Sequence, residues 1–205
     1  MARMSSVERR LEIVQAALRV IAEVGVQGAT TRAIVAEAGM PLASFHYAFT
    51  SRDEMIEELI ASVVENQTVA AFDTLRFGAD IRTTVRDGLQ SFFETIVAGT
   101  AEEQVLLELM LHAMRTPGLE HLPRRQWDKY RAGATELLNA AAVSADIRWA
   151  IPVDQAASLL VTYTDGITLA WLADRDPAAA ALVMDVAADS LAALAIPTRT
   201  KDHAE

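Results

Sequence analysis

TTRAIVAEAGMPLASFHYAFTSRDE, residues 30–54, is the stretch whose reading decides the fold. Ile34, Val35 and Ala38 make a short apolar-periodic segment that stops at Gly39. Glycine takes the left-handed conformation that ends a helix without steric cost. A second short segment carries Ser44, Phe45, His46 and Tyr47, and Ser51 with Glu54 has the spacing of a capping box for a further helix. Two short helices joined by a tight turn, the second displaying small polar and aromatic side chains, have the layout of a DNA-reading helix-turn-helix.

Upstream, Ser5 and Glu8 form another capping-box pair, and Leu11, Val14, Ala17, Leu18 and Ile21 follow at helical spacing. The pattern predicts a first helix from Ser6 to Val24 ending at Gly25, with Thr30 or Thr31 capping the second. Pro41 suits only the start of the third helix, because it lacks an N–H and fixes φ. Met40, Leu42 or Phe45, and Phe49 are the expected core contacts. That leaves Ser44, His46, Tyr47 and part of Ala43 exposed, a hydroxyl–imidazole–phenol run suited to phosphate and base edges. Arg32 opposes the dipole of the second helix in its first turn, a mild cost explained if its guanidinium meets DNA. Arg52 and the amides at the start of the fourth helix are placed to clamp another phosphate.

Composition agrees with this reading in part. The chain has 205 residues, 52% hydrophobic and mostly Ala, Leu and Val, which favours an all-α protein. There is no cysteine, so disulfides and thiolate zinc sites are excluded. The N-terminus lacks a secretory apolar core, and no run of 18 uncharged apolar residues points to a membrane span. Net charge is −10, yet residues 1–52 carry +2 and the remainder −12. A mildly basic head on an acidic body fits a protein that touches phosphate at one end only.

Residues 8–60 resemble the DNA-binding domain of the TetR/AcrR family of transcriptional regulators. GVQGATTRAIVAEAGM (Gly25 to Met40) and LASFHYAFTSRDEMI (Leu42 to Ile56) carry the resemblance, through glycines, threonines, aromatics and a capped helix at fixed spacing. The resemblance implies DNA contacts by Thr31, Arg32, Ser44, His46, Tyr47 and Arg52. Pro41, Leu42 and Ala43 complete the expected face. Pro41 replaces a usual serine cap, His46 a usual tyrosine, and Ala48 a commonly polar or aromatic position, so operator contacts should depart from the usual ones.

The remaining chain predicts helices from Ser51 to Leu75, over 81–98, from a Thr100 cap, and over 123–143. Two more follow: one behind Pro152 to Leu172, and one from Asp176–Pro177 to Leu194. Nine helices result, organised as a DNA-binding head (1–50), an effector-binding and dimerisation body (51–196) and a loose tail (197–205). The last two helices carry Leu159, Leu160, Ile167, Trp171, Leu182, Val183, Val186 and Leu191, more apolar surface than one small body buries. A homodimer through a four-helix interface accounts for it. Phe92, Phe93, Met110, His112, Met114, Trp127, Tyr130 and Tyr163 are candidates to wall an apolar pocket, with Tyr163 or His112 orienting a small-molecule effector.

Catalysis has little support. The four histidines show no metal spacing, and no nucleotide-binding glycine pattern occurs. Glu102, Glu103 and Glu108 read as surface or capping carboxylates. No cofactor or metal is implied. The expected function is a cytoplasmic, dimeric repressor of a palindromic double-stranded DNA operator, released by a small apolar or aromatic ligand. The alternative is a helix-turn-helix structural or nucleoid-associated protein without an effector.

Overall fold

The structure is a computed structural model that describes residues 4–73 and 80–198, with backbone only for residues 64–73. The end of the fourth helix, expected at Leu75, and residues 199–205 of the tail lie outside the described residues.

Nine α-helices and two short strands occur among the described residues: α1 (Ser6–Gly28), α2 (Thr31–Glu37), α3 (Leu42–Ala48), α4 (Arg52–Asp73), α5 (Ile81–Ala98), α6 (Thr100–Ala113), α7 (His121–Ala145), β1 (Ile147–Trp149), α8 (Val153–Asp174), α9 (Pro177–Ala192) and β2 (Ala195–Pro197). The all-α fold expected from composition and periodicity is the one observed. Two compact units divide the chain, Met1–Asn66 with Gly99–Gln126 and Gln67–Ala98 with Trp127–Glu205, so the boundaries fall inside α4, between α5 and α6, and inside α7.

In the first unit α1 is the central element, packed by α2, α3 and α6. Ile13, Ala16, Ala17 and Ile21 are buried on α1, Ile34 and Val35 on α2, Phe45 on α3 and Met55, Ile56 and Leu59 on α4. From α6, Val105, Leu106, Leu109, Met110 and Ala113 join this burial. The Ser5–Glu8 capping box forms as its spacing requires. Gly25, at φ 73° and ψ 168°, breaks the helix where its end was expected, and a short further turn beyond the kink carries α1 on to Gly28. Gly39 does end α2, at φ 65°.

In the second unit α5, α8 and α9 pack together. Leu89, Phe93, Ala157, Val161, Ile167, Met184, Ala188 and Leu191 form its core. Arg82 donates to Asp189 at 2.5 Å and Arg86 to Asp185 at 2.8 Å, fastening α5 to α9. Asp176 caps α9 through the amides of Ala178 and Ala179, with Pro177 in the first turn as expected. Arg175, at φ 56°, makes the corner before it.

The sequence reading placed no strand. Ile147, Arg148 and Trp149 pair antiparallel with Pro197, Ile196 and Ala195, and Thr198 donates its amide to Asp146 O at 3.0 Å. Three-residue strands carry too few positions for an alternating pattern to register. The first residues assigned to a loose tail therefore close the second unit. At α6 the N-cap is Gly99, without a side-chain bond, and Thr100 begins the helix. Helix α8 is long and apolar enough to cross a membrane by length and composition alone, and most of it is not buried within the chain. It contains Asp154, Asp165 and Asp174, and one of its faces enters the core through Ala157, Val161 and Ile167.

Candidate nucleic-acid interface and effector region

Helix α3 divides its side chains as its spacing dictates. Phe45 is buried and Phe49, its C-cap, packs on it at 5.5 Å between ring centroids. The opposite side carries Leu42, Ala43, His46 and Tyr47 in solvent, with Tyr47 81% exposed, while Ser44 is half-buried. Leu42, one of the alternative core contacts of this turn, is 37% exposed, and the aromatics fill the core instead. Pro41 is the N-cap and provides no side-chain cap bond. His46 sets its ring edge-on to Phe45 at 5.9 Å.

On α2 the cap is Thr30, whose Oγ1 accepts from Ala33 N at 3.2 Å. Thr31 therefore keeps its hydroxyl for other partners, next to the exposed Arg32. These two helices place Thr31, Arg32, Pro41, Leu42, Ala43, Ser44, His46 and Tyr47 within one small unit.

Arg52 differs from the expectation. Its guanidinium donates to Val26 O at 2.5 Å and to Ala29 O at 3.3 Å. It satisfies carbonyls at the end of α1, where a helix leaves acceptors without intrahelical donors. No spacing signal announces a contact across 26 residues. The neighbouring Glu54 supplies the α4 turn: its amide donates to Ser51 Oγ at 3.0 Å, and its carboxylate accepts from Thr50 Oγ1 at 2.6 Å and Thr50 N at 2.7 Å. The Thr50 hydroxyl and amide, and then Arg10, hold the Glu54 carboxyl down at about 2.

Glu108 is a second contact invisible in sequence. Reaching from α6, its Oε1 accepts from Val26 N at 2.6 Å, at the amide that the Gly25 kink releases. It is indeed a capping carboxylate, for a helix more than 80 residues upstream. Glu103, also read as a surface or capping group, is instead 8% exposed.

The effector candidates fall in both units. Met110, His112 and Met114 belong to the first unit, and Phe92, Phe93, Trp127, Tyr130 and Tyr163 to the second. Met110 is buried in its unit's core and Met114 is 59% exposed. His112 has Nε2 3.3 Å from Thr116 Oγ1 and lines a cleft of about 330 Å³ with Val26, Gln27, Glu108 and Arg115. Phe93 is buried edge-on against Trp171 at 5.2 Å, within the core of α5, α8 and α9. Trp127, Tyr130 and Tyr163 lie half-buried against the same core, and Phe92 is also half-buried.

The dimerisation candidates divide too. Leu159, Leu182, Val183 and Val186 are exposed, at 43, 65, 37 and 51%. Leu160 and Trp171 are half-buried against their own core. Ile167 and Leu191, expected at the interface, are 1% and 0% exposed and face inward, one helical face away from the outward residues. Asp165 shares the exposed side of α8, yet its carboxyl sits among enough protein for burial to push it up to about 6.

Comparison with known proteins agrees with this geometry. Residues 13–59 match the model for bacterial regulatory proteins of the TetR family, and residues 82–195 that for the C-terminal domain of BetI-type transcriptional repressors. The HTH-type nicotine-responsive transcriptional repressor HdnoR of Paenarthrobacter nicotinovorans is 30% identical over 177 residues, covering 85% of this chain and 90% of its own. The multidrug binding protein EbrR, solved in complex with imidazole, superposes with a TM-score of 0.68 at 27% identity, covering 95% of this chain and 98% of its own. A TetR transcription regulator from Haloarcula marismortui shares the fold at a TM-score of 0.77 and 17% identity, over 93% of this chain and all of its own. With an exposed, aromatic-backed helix-turn-helix and family matches at both ends, the chain is a DNA-binding transcriptional regulator of the TetR family.

Proposed function

We propose that the protein is a homodimeric repressor that binds a palindromic operator through α2 and α3 and leaves it on binding a small aromatic ligand. The observation that carries the DNA-reading part is the two-sided α3. Tyr47, His46, Ala43 and Leu42 stand in solvent over a floor of Phe45, Ala48 and Phe49. Short hydroxyl, imidazole and phenol groups above a rigid apolar base suit base-edge and phosphate contact. The outward Leu159, Leu182, Val183 and Val186 favour a second copy as partner, since two apolar helices per subunit make a four-helix interface.

For the effector, the half-buried Trp127, Tyr130, Tyr163 and Phe92 offer aromatic faces without the full burial that commits a side chain to the core. The nicotine-responsive relative and the imidazole complex of EbrR make an aromatic nitrogen heterocycle the first candidate. A ligand releases DNA only if it binds the DNA-incompetent arrangement more tightly. The protein is assigned to the cytoplasm, with no membrane partner.

The test is selection of bound DNA from a random pool, then displacement with a panel of aromatic heterocycles. Palindromic half-sites about one helical turn or more apart, released by a panel member, are expected. Tyr47→Ala should weaken binding on all sequences, whereas Arg32→Ala or Ser44→Ala should change the preferred bases. Binding without sequence preference would turn the assignment towards a structural DNA-binding protein, and equal losses in all three variants would refute the division of roles.

A further inference from the structure

Arg10 on α1 draws three helices together behind the reading surface. Its Nε donates to Glu58 at 2.9 Å and its Nη2 to the same carboxylate. Its Nη1 donates to Glu54 Oε1 at 2.9 Å and also to Ala48 O. The guanidinium carbon lies 4.2 Å from the centroid of the Phe49 ring. Glu54 and Glu58 belong to α4, while Ala48 is the last residue of α3 and Phe49 its C-cap.

These contacts fall where α3 is weakest. A seven-residue helix is far too short to be stable by itself. Pro41 gives it no side-chain cap at the start. At its other end a guanidinium satisfies a free carbonyl and complements the negative end of the helix dipole. Two carboxylates of α4 hold that guanidinium in place, and the charge-assisted bonds are the strong kind. With two anions on one cation, the cluster carries net negative charge and would repel a phosphate.

We propose that Arg10 is a positioning residue that sets the orientation of α3 for DNA reading, and is not itself a phosphate contact. The inference rests on the reading role proposed above for α3. Base readout depends on hydrogen bonds aimed at base edges, so a tilt of α3 degrades discrimination before it degrades general affinity.

The experiment compares full-length wild-type protein with Arg10→Lys and Arg10→Met, on the selected operator and on random DNA, across a salt series. Lysine keeps the charge but lacks the planar fork that serves two carboxylates, a carbonyl and a ring together. Both variants should lose about tenfold in the operator-to-random affinity ratio. The salt slope should not change, whereas removing a phosphate contact lowers it by about one. Amide exchange in the DNA-free protein should rise over residues 42–49 more than over 31–37. A wild-type specificity ratio in Arg10→Lys, a lowered salt slope in Arg10→Met, or exchange raised equally in both helices would overturn the proposal. If Arg10→Met fails to fold, Glu58→Gln removes one anchor of the same guanidinium and must reproduce the exchange pattern. Should wild-type protein show no sequence preference, the reading role of α3 fails, and the exchange measurement still decides whether Arg10 orients it.

Discussion

Gly25→Ala probes the junction on which the first unit depends. The backbone there lies at φ 73° and ψ 168°, a region open essentially to glycine alone, and forcing a β-carbon into it costs about 1–3 kcal/mol. The added methyl would also stand 3.0 Å from Glu108 Oε1 and 3.6 Å from Oε2. That carboxylate holds the amide of Val26, a residue 1% exposed. If Glu108 swings away, a buried N–H loses its partner, at about 1–3 kcal/mol. The carboxylate can yield partly, so the combined loss should be about 3 kcal/mol. Gly39→Ala is the internal control. Its φ of 65° is also left-handed, but nothing lies within 4 Å of a β-carbon, so only backbone strain of about 1–2 kcal/mol applies. Urea denaturation of both variants, and of each in a Glu108→Ala background, measures the difference. The Gly25 penalty should shrink when Glu108 is absent and the Gly39 penalty should not. Equal penalties for the two glycines, or a Gly25 penalty indifferent to Glu108, would refute the account of the junction.

Two further outcomes follow from the same structure. Glu54 titrates near 2 in the folded state against about 4.5 unfolded, so its support of the α3–α4 turn is complete above pH 4.5 and fades towards pH 2. An NMR titration should find that midpoint, and Thr50→Ala, which removes the largest cause, should raise it; a wild-type midpoint above 4 contradicts the contact. On α9, Leu182→Glu with Val186→Glu should yield monomers by light scattering with helix content intact, because both side chains point outward. Met184→Ala, in the core at 1% exposure, should instead cost about 2–5 kcal/mol and leave association unchanged; a dimer surviving the double substitution would move the interface elsewhere.

Most of this architecture was legible because its signals are local. Ser5–Glu8, Gly39, Pro41 and Asp176–Pro177 act through the backbone within four residues, and each performs the expected boundary function. The inward and outward sides of α3 were equally readable, since Phe45 and Phe49 lie one turn apart and Tyr47 cannot share their face. What escaped is pairing over distance. Arg52 with Val26 and Ala29, Glu108 with Val26, and Arg10 with Ala48 join residues whose separation leaves no periodicity to detect. On α8 and α9 the difficulty was different. Helices apolar around most of their circumference do not declare which side is core, so Ile167 and Leu191 could be told from Leu159 and Leu182 only by packing. Aromatic content identifies material for a pocket but not which helices enclose it, and the candidates fall in both units, Met110 and His112 in one and Trp127 and Tyr163 in the other.

The pairing of Arg10, Arg19 and Arg52 within the protein bears on how it finds its site. Arg10 and Arg19 are held by glutamates, and Arg52 grips carbonyls at the end of α1. Arg32 is left as the exposed cation of α2, beside neutral hydroxyl, imidazole and phenol groups. Few condensed counterions would then be liberated per subunit on docking, and their release supplies most of the sequence-blind attraction between proteins and DNA. On that account the affinity for random DNA should depend only shallowly on salt, which a salt series measures directly.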